Sequence, residues 1–121
     1  MVAAPDDPAM LDERQLVEQA RTDPEAFARL YRHYLPGVHA FCQRRCGSRA
    51  DADDLTAATF ERALRGLDSF RWERGGFGAW LFRIAANVLI DHHRAVARGR
   101  SDRAQRAFAR SEQSPVAWSL V

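Results

Sequence analysis

The stretch from Trp80 to Arg98 constrains the fold most, because its residues repeat with the period of an α-helix. One set is apolar, and its members recur at three and four residues: Leu81, Ile84, Ala85, Val88, Leu89 and Val96. A second set is polar, with spacings of four, four, three and four residues: Arg83, Asn87, Asp91, Arg94 and Arg98. Such periods place each set on one face of a helix. The stretch is therefore predicted to form an amphipathic helix, with one face against a core and another carrying donors and positive charge.

An aromatic and glycine-rich segment runs directly into this predicted helix. Its aromatic residues are interleaved with Arg71 and Arg74, and they are Phe70, Trp72, Phe77 and Trp80. Each feature alone has an ordinary explanation, since aromatic residues near a helix start are usually core and arginine-rich faces are usually solvated. Together they favour rings that stack on nucleic-acid bases and arginines that hold phosphates, with Trp80 mostly in the core. The glycines that let this loop approach a ligand closely are Gly75, Gly76 and Gly78.

Charge is distributed unevenly along a chain whose net charge is only +2. Residues 1–61 hold 7 arginines against 11 acidic residues, whereas residues 62–121 hold 11 arginines against 5 acidic residues. The basic second half predicts an anionic partner. All 18 basic residues are arginine. A GC-rich genome explains this bias as well as selection for the guanidinium group does, so the missing lysines carry no weight.

Length and composition fit a single domain in the cytoplasm. With 121 residues and 46% hydrophobic content, the chain supports one modest core, and no apolar stretch reaches the length of a membrane span. Residues 1–8 lack the basic and apolar regions of a signal peptide. Cys42 and Cys46 are too few for a disulfide framework, and with His39 they form a metal set without a fourth ligand. Free thiols, no metal and no cofactor are therefore predicted.

Four helices are predicted from periodicity and from cap residues, and no strand pairs or repeats are visible. The second helix begins at Asp23-Pro24, where the aspartate can cap and the proline fits the first turn. Pro36 kinks or splits this helix. The third helix ends at Gly66, a natural left-handed cap, and the fourth is closed by Gly99. The chain is thus predicted to be all-α, a compact bundle of about four helices.

Three segments follow from this pattern. Residues 1–10 are predicted as a flexible N-terminus, residues 11–98 as the helical domain, and residues 99–121 as a polar linker or tail. The end of the tail is apolar, which a truncated chain or a segment that docks on another protein explains. The apolar residues concerned are Ala117, Trp118, Leu120 and Val121.

Several motifs occur in a fixed order between residues 24 and 98: Asp51-Ala-Asp-Asp-Leu55, Thr59-Phe60, Phe70-Arg71 and Trp80-Leu-Phe-Arg-Ile-Ala-Ala-Asn87, followed by Asp91 and Arg94. In this order they resemble region 2 of the extracytoplasmic-function (ECF) sigma factors of the sigma-70 family. The resemblance implies a transcription initiation factor that binds core RNA polymerase and that recognises and melts the promoter −10 element. It also implies an anti-sigma factor as a further partner.

The resemblance assigns residues to two surfaces. On the third helix, the residues implied to dock on the clamp coiled coil of the largest polymerase subunit are Asp51, Asp53, Asp54, Ala57, Ala58, Glu61 and Arg62. In the loop and the fourth helix, the residues implied to capture the unpaired nontemplate strand are Phe70, Arg71, Trp72, Arg74, Phe77, Arg83, Asn87, Asp91, Arg94 and Arg98. Among them Asn87 suits a base edge and the arginines suit phosphates, while Asp91 either pairs with Arg94 or accepts from a base amine.

The chain departs from the family pattern in two places. Ala57-Ala58 stands where family members commonly have a Gln-Glu pair, which removes polar contacts expected to face the polymerase clamp. The segment after Gly99 is too short for the family's C-terminal helix-turn-helix domain (region 4), which reads the farther promoter element. We therefore expect the chain alone to recognise promoters poorly.

Two alternatives come from other functional classes. Asp91-His92-His93 spells a string found in metal-dependent phosphoesterases, but mid-helix neighbours point about 100° apart and the chain has only 4 histidines, so no enzyme is predicted. The other alternative is a sigma-like module that binds only protein, either an anti-sigma factor or the polymerase. The alanine pair and the missing second domain favour it, whereas the aromatic loop and the arginines of the fourth helix argue against it.

Overall fold

The computed structural model describes the backbone of residues 8–113 and the side chains of residues 13–109. Its elements are α1 (Pro8–Ala20), α2 (Pro24–Cys46), α3 (Arg49–Gly66), a 3₁₀ turn (Leu67–Ser69) and α4 (Gly76–Gln113). No strand occurs within the described residues, and the predicted all-α bundle is confirmed. Helix α1 begins at Pro8, so part of the predicted flexible N-terminus is helical. The remainder of that segment and the apolar end of the chain, residues 114–121, lie outside the described residues.

Local chemistry sets where the helices start. Asp23 has an extended backbone, and its side chain accepts a hydrogen bond of 3.0 Å from the backbone N–H of Glu25, so the predicted cap of α2 is confirmed. At the other end of α2, Gly47 adopts the left-handed conformation with φ 82°. Ser48 then caps α3 by accepting a hydrogen bond of 3.0 Å from the N–H of Asp51.

The predicted split of α2 at Pro36 and the predicted left-handed cap at Gly66 are absent, whereas α3 does end at Gly66 as predicted. Pro36 lies inside α2, which continues as one helix, because losing a single backbone hydrogen bond does not end a helix that packs along its length. Gly66 has φ −91°, so it is not a left-handed cap, and the chain passes from α3 straight into the 3₁₀ turn. A β-carbon at Gly66 would lie 3.5 Å from the ring of Trp80. That distance is an ordinary van der Waals contact, so neither a left-handed turn nor crowding requires glycine at this position.

The chain divides into two compact units, Met1–Leu89 and Ile90–Val121, and α4 contributes to both. Within the second unit, α4 runs past Gly99 to Gln113, so the predicted helix end at Gly99 is wrong. One glycine inside a helix costs about 1 kcal/mol relative to alanine, which does not stop the helix. The described side chains of this unit, residues 90–109, are mainly exposed. Val96 is 39% exposed, so it does not join a core, although its spacing predicted that it would.

In the first unit, the apolar face of α4 lies in the core as predicted. Leu81 and Ala85 are fully buried, and Val88 and Leu89 are 3% and 4% exposed. They belong to one cluster with apolar residues of the other three helices, which include Val17, Leu30, Val38, Cys42, Ala52 and Ala63. Within the described part of the chain, no helix is long and apolar enough to cross a membrane.

Both cysteines are free thiols, as predicted. Cys42 is buried, and burial raises the pKa of its thiol. Cys46 is half-buried, and its thiol donates to the backbone carbonyl of Ser48 at 3.2 Å. His39, which the sequence placed beside the thiols, instead contacts Asp53, with 2.8 Å between Nε2 and Oδ1. This contact joins α2 to α3.

Removing the cap of α2 tests this account of the helix starts. We expect Asp23→Ala to lower the free energy of unfolding by about 1 kcal/mol, because the N–H of Glu25 loses its acceptor. Urea denaturation followed by circular dichroism measures the change. Asp54→Ala removes the same charge from an exposed position, and its effect should stay within about 0.5 kcal/mol. Equal losses in the two variants would contradict the capping role.

Candidate nucleic-acid interface

The loop before α4, residues 70–75, owes its shape to two glycines with positive φ. Gly75 has φ 87° and Gly76 has φ 62°, a region that residues with a β-carbon rarely adopt. A β-carbon at Gly76 would lie 2.9 Å from the ring of Trp72, and one at Gly75 would lie 2.7 Å from the β-carbon of Ala79. The close approach predicted for these glycines is therefore made to the protein's own side chains. The N–H of Gly76 also donates to the carbonyl of Glu73 at 2.8 Å, which closes the turn.

The aromatic residues of the loop and of the start of α4 pack on one another. Ring centroids lie 4.9 Å apart for Phe70 and Trp80, 5.6 Å for Phe77 and Trp80, and 5.9 Å for Phe70 and Phe77. Phe70 is 2% exposed and Phe77 is 1% exposed, so the expectation that these two rings offer a face to a base is wrong for this structure. An aromatic side chain removes about 150–250 Å² of its surface from water when it is buried, and this apolar burial favours a place in the core. Trp72 and Trp80 remain half-buried.

A small surface pocket opens over this aromatic cluster. Its lining residues are Ser69, Phe70, Arg71, Glu73, Trp80 and Arg83, and its volume is ≈ 250 Å³. Arg71, Glu73 and Arg83 are exposed, whereas the two aromatic side chains are buried or half-buried. Because sites for drug-sized ligands measure about 300–1,000 Å³, this pocket suits a single small ring. We call it the aromatic pocket. Its exposed lining is mainly polar, with two cations and one carboxylate around a small apolar area.

The structure brings together some of the predicted DNA-binding residues and leaves others apart. Phe70, Arg71 and Arg83 line the aromatic pocket, with Ser69 and Glu73 as neighbours that the sequence reading missed. Outside this pocket but in the same unit are the half-buried Trp72 and the exposed Arg74 and Asn87. Exposed residues of the second unit complete the predicted set: Asp91, Arg94 and Arg98.

Arg21, in the turn that follows α1, holds the segment that forms one wall of the pocket, and nothing in the sequence indicated this. Arg21 donates from Nη1 to the carbonyl of Leu67 at 2.7 Å and from Nη2 to the carbonyl of Phe70 at 2.9 Å. Glu18 pairs with the same guanidinium at 3.1 and 3.2 Å. Arg14 of α1 lies over the ring of Trp72, 5.7 Å from its centroid. The partners of Arg21 are carbonyls 46 and 49 residues away, so no local pattern could reveal them.

Tyr34 of α2 supports the start of α4. Its hydroxyl donates to the carboxylate of Glu13 at 2.9 Å, and its ring lies 5.5 Å from that of Phe77. A β-carbon at Gly78 would lie 3.2 Å from the phenol. Burial raises the pKa of Tyr34, and the nearby Glu13 adds to this effect. The phenol therefore stays protonated and keeps donating across the physiological pH range.

The predicted polymerase-binding residues lie on α3 with unequal exposure. Asp53, Asp54, Ala57, Glu61 and Arg62 are exposed, whereas Asp51 is half-buried. Ala58 is half-buried and packs against the core. Two carboxylates have partners within the chain, since Asp53 contacts His39 and Glu61 pairs with Arg65. Leu64, which is 53% exposed, adds an apolar group on the same helix that the sequence reading did not single out.

Comparisons with known proteins agree with one another. Residues 30–99 match the family model described as Sigma-70 region 2. The ECF RNA polymerase sigma factor BldN of Streptomyces coelicolor is 43% identical over 82 residues, which are 67% of this chain and 31% of BldN. SigW of Bacillus subtilis is 33% identical over 85 residues, 70% of this chain and 45% of SigW. The chain thus spans less than half the length of these curated relatives.

A solved structure is similar as well. The structure of the RsbN–BldN complex superposes with a TM-score of 0.60 at 45% sequence identity. The match covers 65% of this chain and 58% of that one.

An alanine at Gly76 tests the loop geometry. We expect Gly76→Ala to lower the free energy of unfolding by about 1–3 kcal/mol and to shift tryptophan fluorescence, because the new methyl group meets Trp72 at a positive φ. Gly99→Ala is the matched control, since it lies inside α4 with nothing within 4 Å of its added methyl group. That variant should be neutral or more stable by up to about 1 kcal/mol. A Gly76→Ala protein as stable as the control would contradict the loop description.

Proposed function

The chain belongs to the sigma-70 region 2 family, and from this premise we propose that it is the promoter-reading part of an ECF-type transcription initiation factor. It binds core RNA polymerase through α3, and it holds the unpaired nontemplate strand of the promoter −10 element with the loop before α4 and with α4. The aromatic pocket with Arg71 and Arg83 on its rim is the observation that carries the DNA part of this proposal.

A melted strand needs apolar surface for bases and cations for phosphates. Base stacking on an aromatic side chain contributes about 1–3 kcal/mol per base, which offsets the few kcal/mol that unstacking a base costs. Trp72 and Trp80 keep part of their surface open, so they are the rings that contact bases in this proposal. Phe70 and Phe77 are buried and act as the support beneath them. Glu73, at the rim, is placed to accept from a base amine.

The remaining residues of α4 extend the contact. Asn87 is exposed and presents both a donor and an acceptor, as reading a base edge requires. Arg74, Arg94 and Arg98 are exposed cations for phosphates, which position the strand without reading its sequence. Asp91 either accepts from a base amine or orients a neighbouring arginine. The excess of arginine in residues 62–121 favours the same anionic partner.

The polymerase part of the proposal rests on the exposed acidic surface of α3. Asp53, Asp54 and Glu61 carry negative charge toward solvent, and electrostatic complementarity speeds association with a basic surface. Ala57 is the exposed member of the alanine pair, whereas Ala58 is half-buried. The loss of polar contacts with the polymerase clamp therefore falls mainly at Ala57. An anti-sigma factor is a further proposed partner, because the similar protein BldN has been solved in a complex with RsbN.

Salt-dependent binding of single-stranded oligonucleotides tests the DNA part. We expect Arg83→Ala to weaken binding and to lower the slope of log affinity against log salt by about one phosphate contact. Arg32→Ala, which removes an exposed arginine of α2, should leave both quantities unchanged. If the unmodified chain shows no salt-dependent binding, the module that binds only protein becomes the better hypothesis.

Two further variants separate recognition of the base sequence from binding of the phosphate backbone. Asn87→Ala should reduce the discrimination between a promoter-like oligonucleotide and a scrambled one more than it reduces total affinity. Arg98→Ala should do the reverse, because a phosphate contact is the same on every sequence. Fluorescence anisotropy with both oligonucleotides measures the two quantities. Equal effects of the two variants on both would contradict these assigned roles.

Co-elution with core RNA polymerase tests the α3 surface. We expect Ala57→Gln to tighten binding by about five- to tenfold, because a polar side chain returns to an exposed position facing the polymerase clamp. Ala50→Gln places the same side chain at another exposed site on α3 and should have little effect. Failure of the unmodified chain and of both variants to co-elute would count against polymerase binding.

A further inference from the structure

We propose that Arg21 is a positioning residue for the DNA site, which sets the conformation of residues 67–71 without contacting DNA itself. This inference rests on the proposed function, because it names the residue that holds one wall of the aromatic pocket in place. The direct observation is the pair of hydrogen bonds, 2.7 and 2.9 Å long, from Arg21 to the carbonyls of Leu67 and Phe70.

The guanidinium of Arg21 is engaged on two sides. Its Nη1 and Nη2 reach the two carbonyls, while Nε and Nη2 also face the carboxylate of Glu18 at 3.1 and 3.2 Å. A planar fork of five donors suits this arrangement, and a lysine ammonium does not reproduce it. The side chain is only 20% exposed. Arg21 is thus occupied by the protein, in contrast to the exposed Arg71 and Arg83.

The two carbonyls lie in and just after the 3₁₀ turn, where the chain leaves α3 and enters the loop before α4. Leu67 begins the 3₁₀ turn, and its carbonyl also accepts from the N–H of Phe70 at 3.1 Å. Phe70 follows the turn with an extended backbone, and its carbonyl directly precedes Arg71. Fixing this carbonyl fixes the peptide plane from which Arg71 departs. Because Phe70 and Arg71 line the aromatic pocket, their placement depends on Arg21, in the turn after α1.

Hydrogen exchange of the full chain, measured without DNA, tests whether Arg21 fixes the conformation of residues 67–71. In Arg21→Ala we expect the amide of Phe70, which donates to the carbonyl of Leu67, to exchange about tenfold faster than in the unmodified chain, because the segment loses both hydrogen bonds from Arg21. Arg32→Ala is the matched control, since it removes an arginine from an exposed position on α2. Arg21→Lys keeps the charge and folding but not the fork, so its exchange should lie between the two.

Oligonucleotide binding tests whether DNA binding depends on this conformation. We expect Arg21→Ala to lose about five- to tenfold in affinity for single-stranded DNA, with a salt slope equal to that of Arg32→Ala and unchanged co-elution with polymerase. Arg21→Lys should recover part of this affinity. A salt slope lowered by about one in Arg21→Ala would show a direct phosphate contact and would overturn the positioning role. Affinity or exchange no different from the Arg32→Ala control would overturn it as well.

The same experiments keep the two proposals apart. If Arg83→Ala weakens DNA binding and Arg21→Ala does not, the proposed function stands and the role of Arg21 is wrong. If the unmodified chain binds no DNA, the proposed function fails and with it the role of Arg21 in DNA binding. The hydrogen-exchange rates then show only whether Arg21 fixes the conformation of residues 67–71.

Discussion

Burial of the first part of α4 is the interaction on which the rest of the structure depends. Leu81, Ala85 and Val88 insert into a core shared with the other three helices, and this fixes the rotation of α4 about its own axis. Successive residues of a helix point about 100° apart, so Arg83 and Asn87 are turned to solvent as a consequence. The polar face that is proposed to meet DNA is therefore held in place by apolar contacts on the other side of the same helix.

The aromatic residues near the start of α4 divide into two groups under this constraint. Phe70 and Phe77 are purely apolar and lie in the core, where their burial contributes to stability whether or not a partner is present. Trp72 and Trp80 are larger and stay half-buried at the edge of the same cluster. The resulting surface has two buried phenylalanine rings beneath it and two partly exposed tryptophan rings. Such a surface orders few additional side chains when a base binds, and this limits the entropic cost of binding.

Charge is arranged separately from this apolar framework. Exposed carboxylates of α3 include Asp53, Asp54 and Glu61, beside exposed arginines of the same helix, and further exposed arginines lie in the loop before α4 and along α4. The pairs His39–Asp53 and Glu61–Arg65 are exposed, and such surface pairs contribute only about 0–1 kcal/mol to stability. These two pairs are therefore minor contributors to the fold. Carboxylates on α3 and the excess of arginine in residues 62–121 are the charges on which the two proposed partners depend.

The sequence by itself determined the all-α class, the cap at Asp23, the apolar face of α4 up to Leu89 and the family, because each of these depends on local spacing or on a contiguous motif. Only the tertiary structure decided which aromatic rings are buried, because Phe70 and Trp72 have the same local pattern and differ in what packs over them. The continuation of helices through Pro36 and Gly99 was also hidden, since local penalties of a few kcal/mol are overridden by the helix around them. Arg21 was the least visible residue: its partners are backbone carbonyls, which every residue possesses, and only the tertiary packing of the turn after α1 brings two of them within its reach.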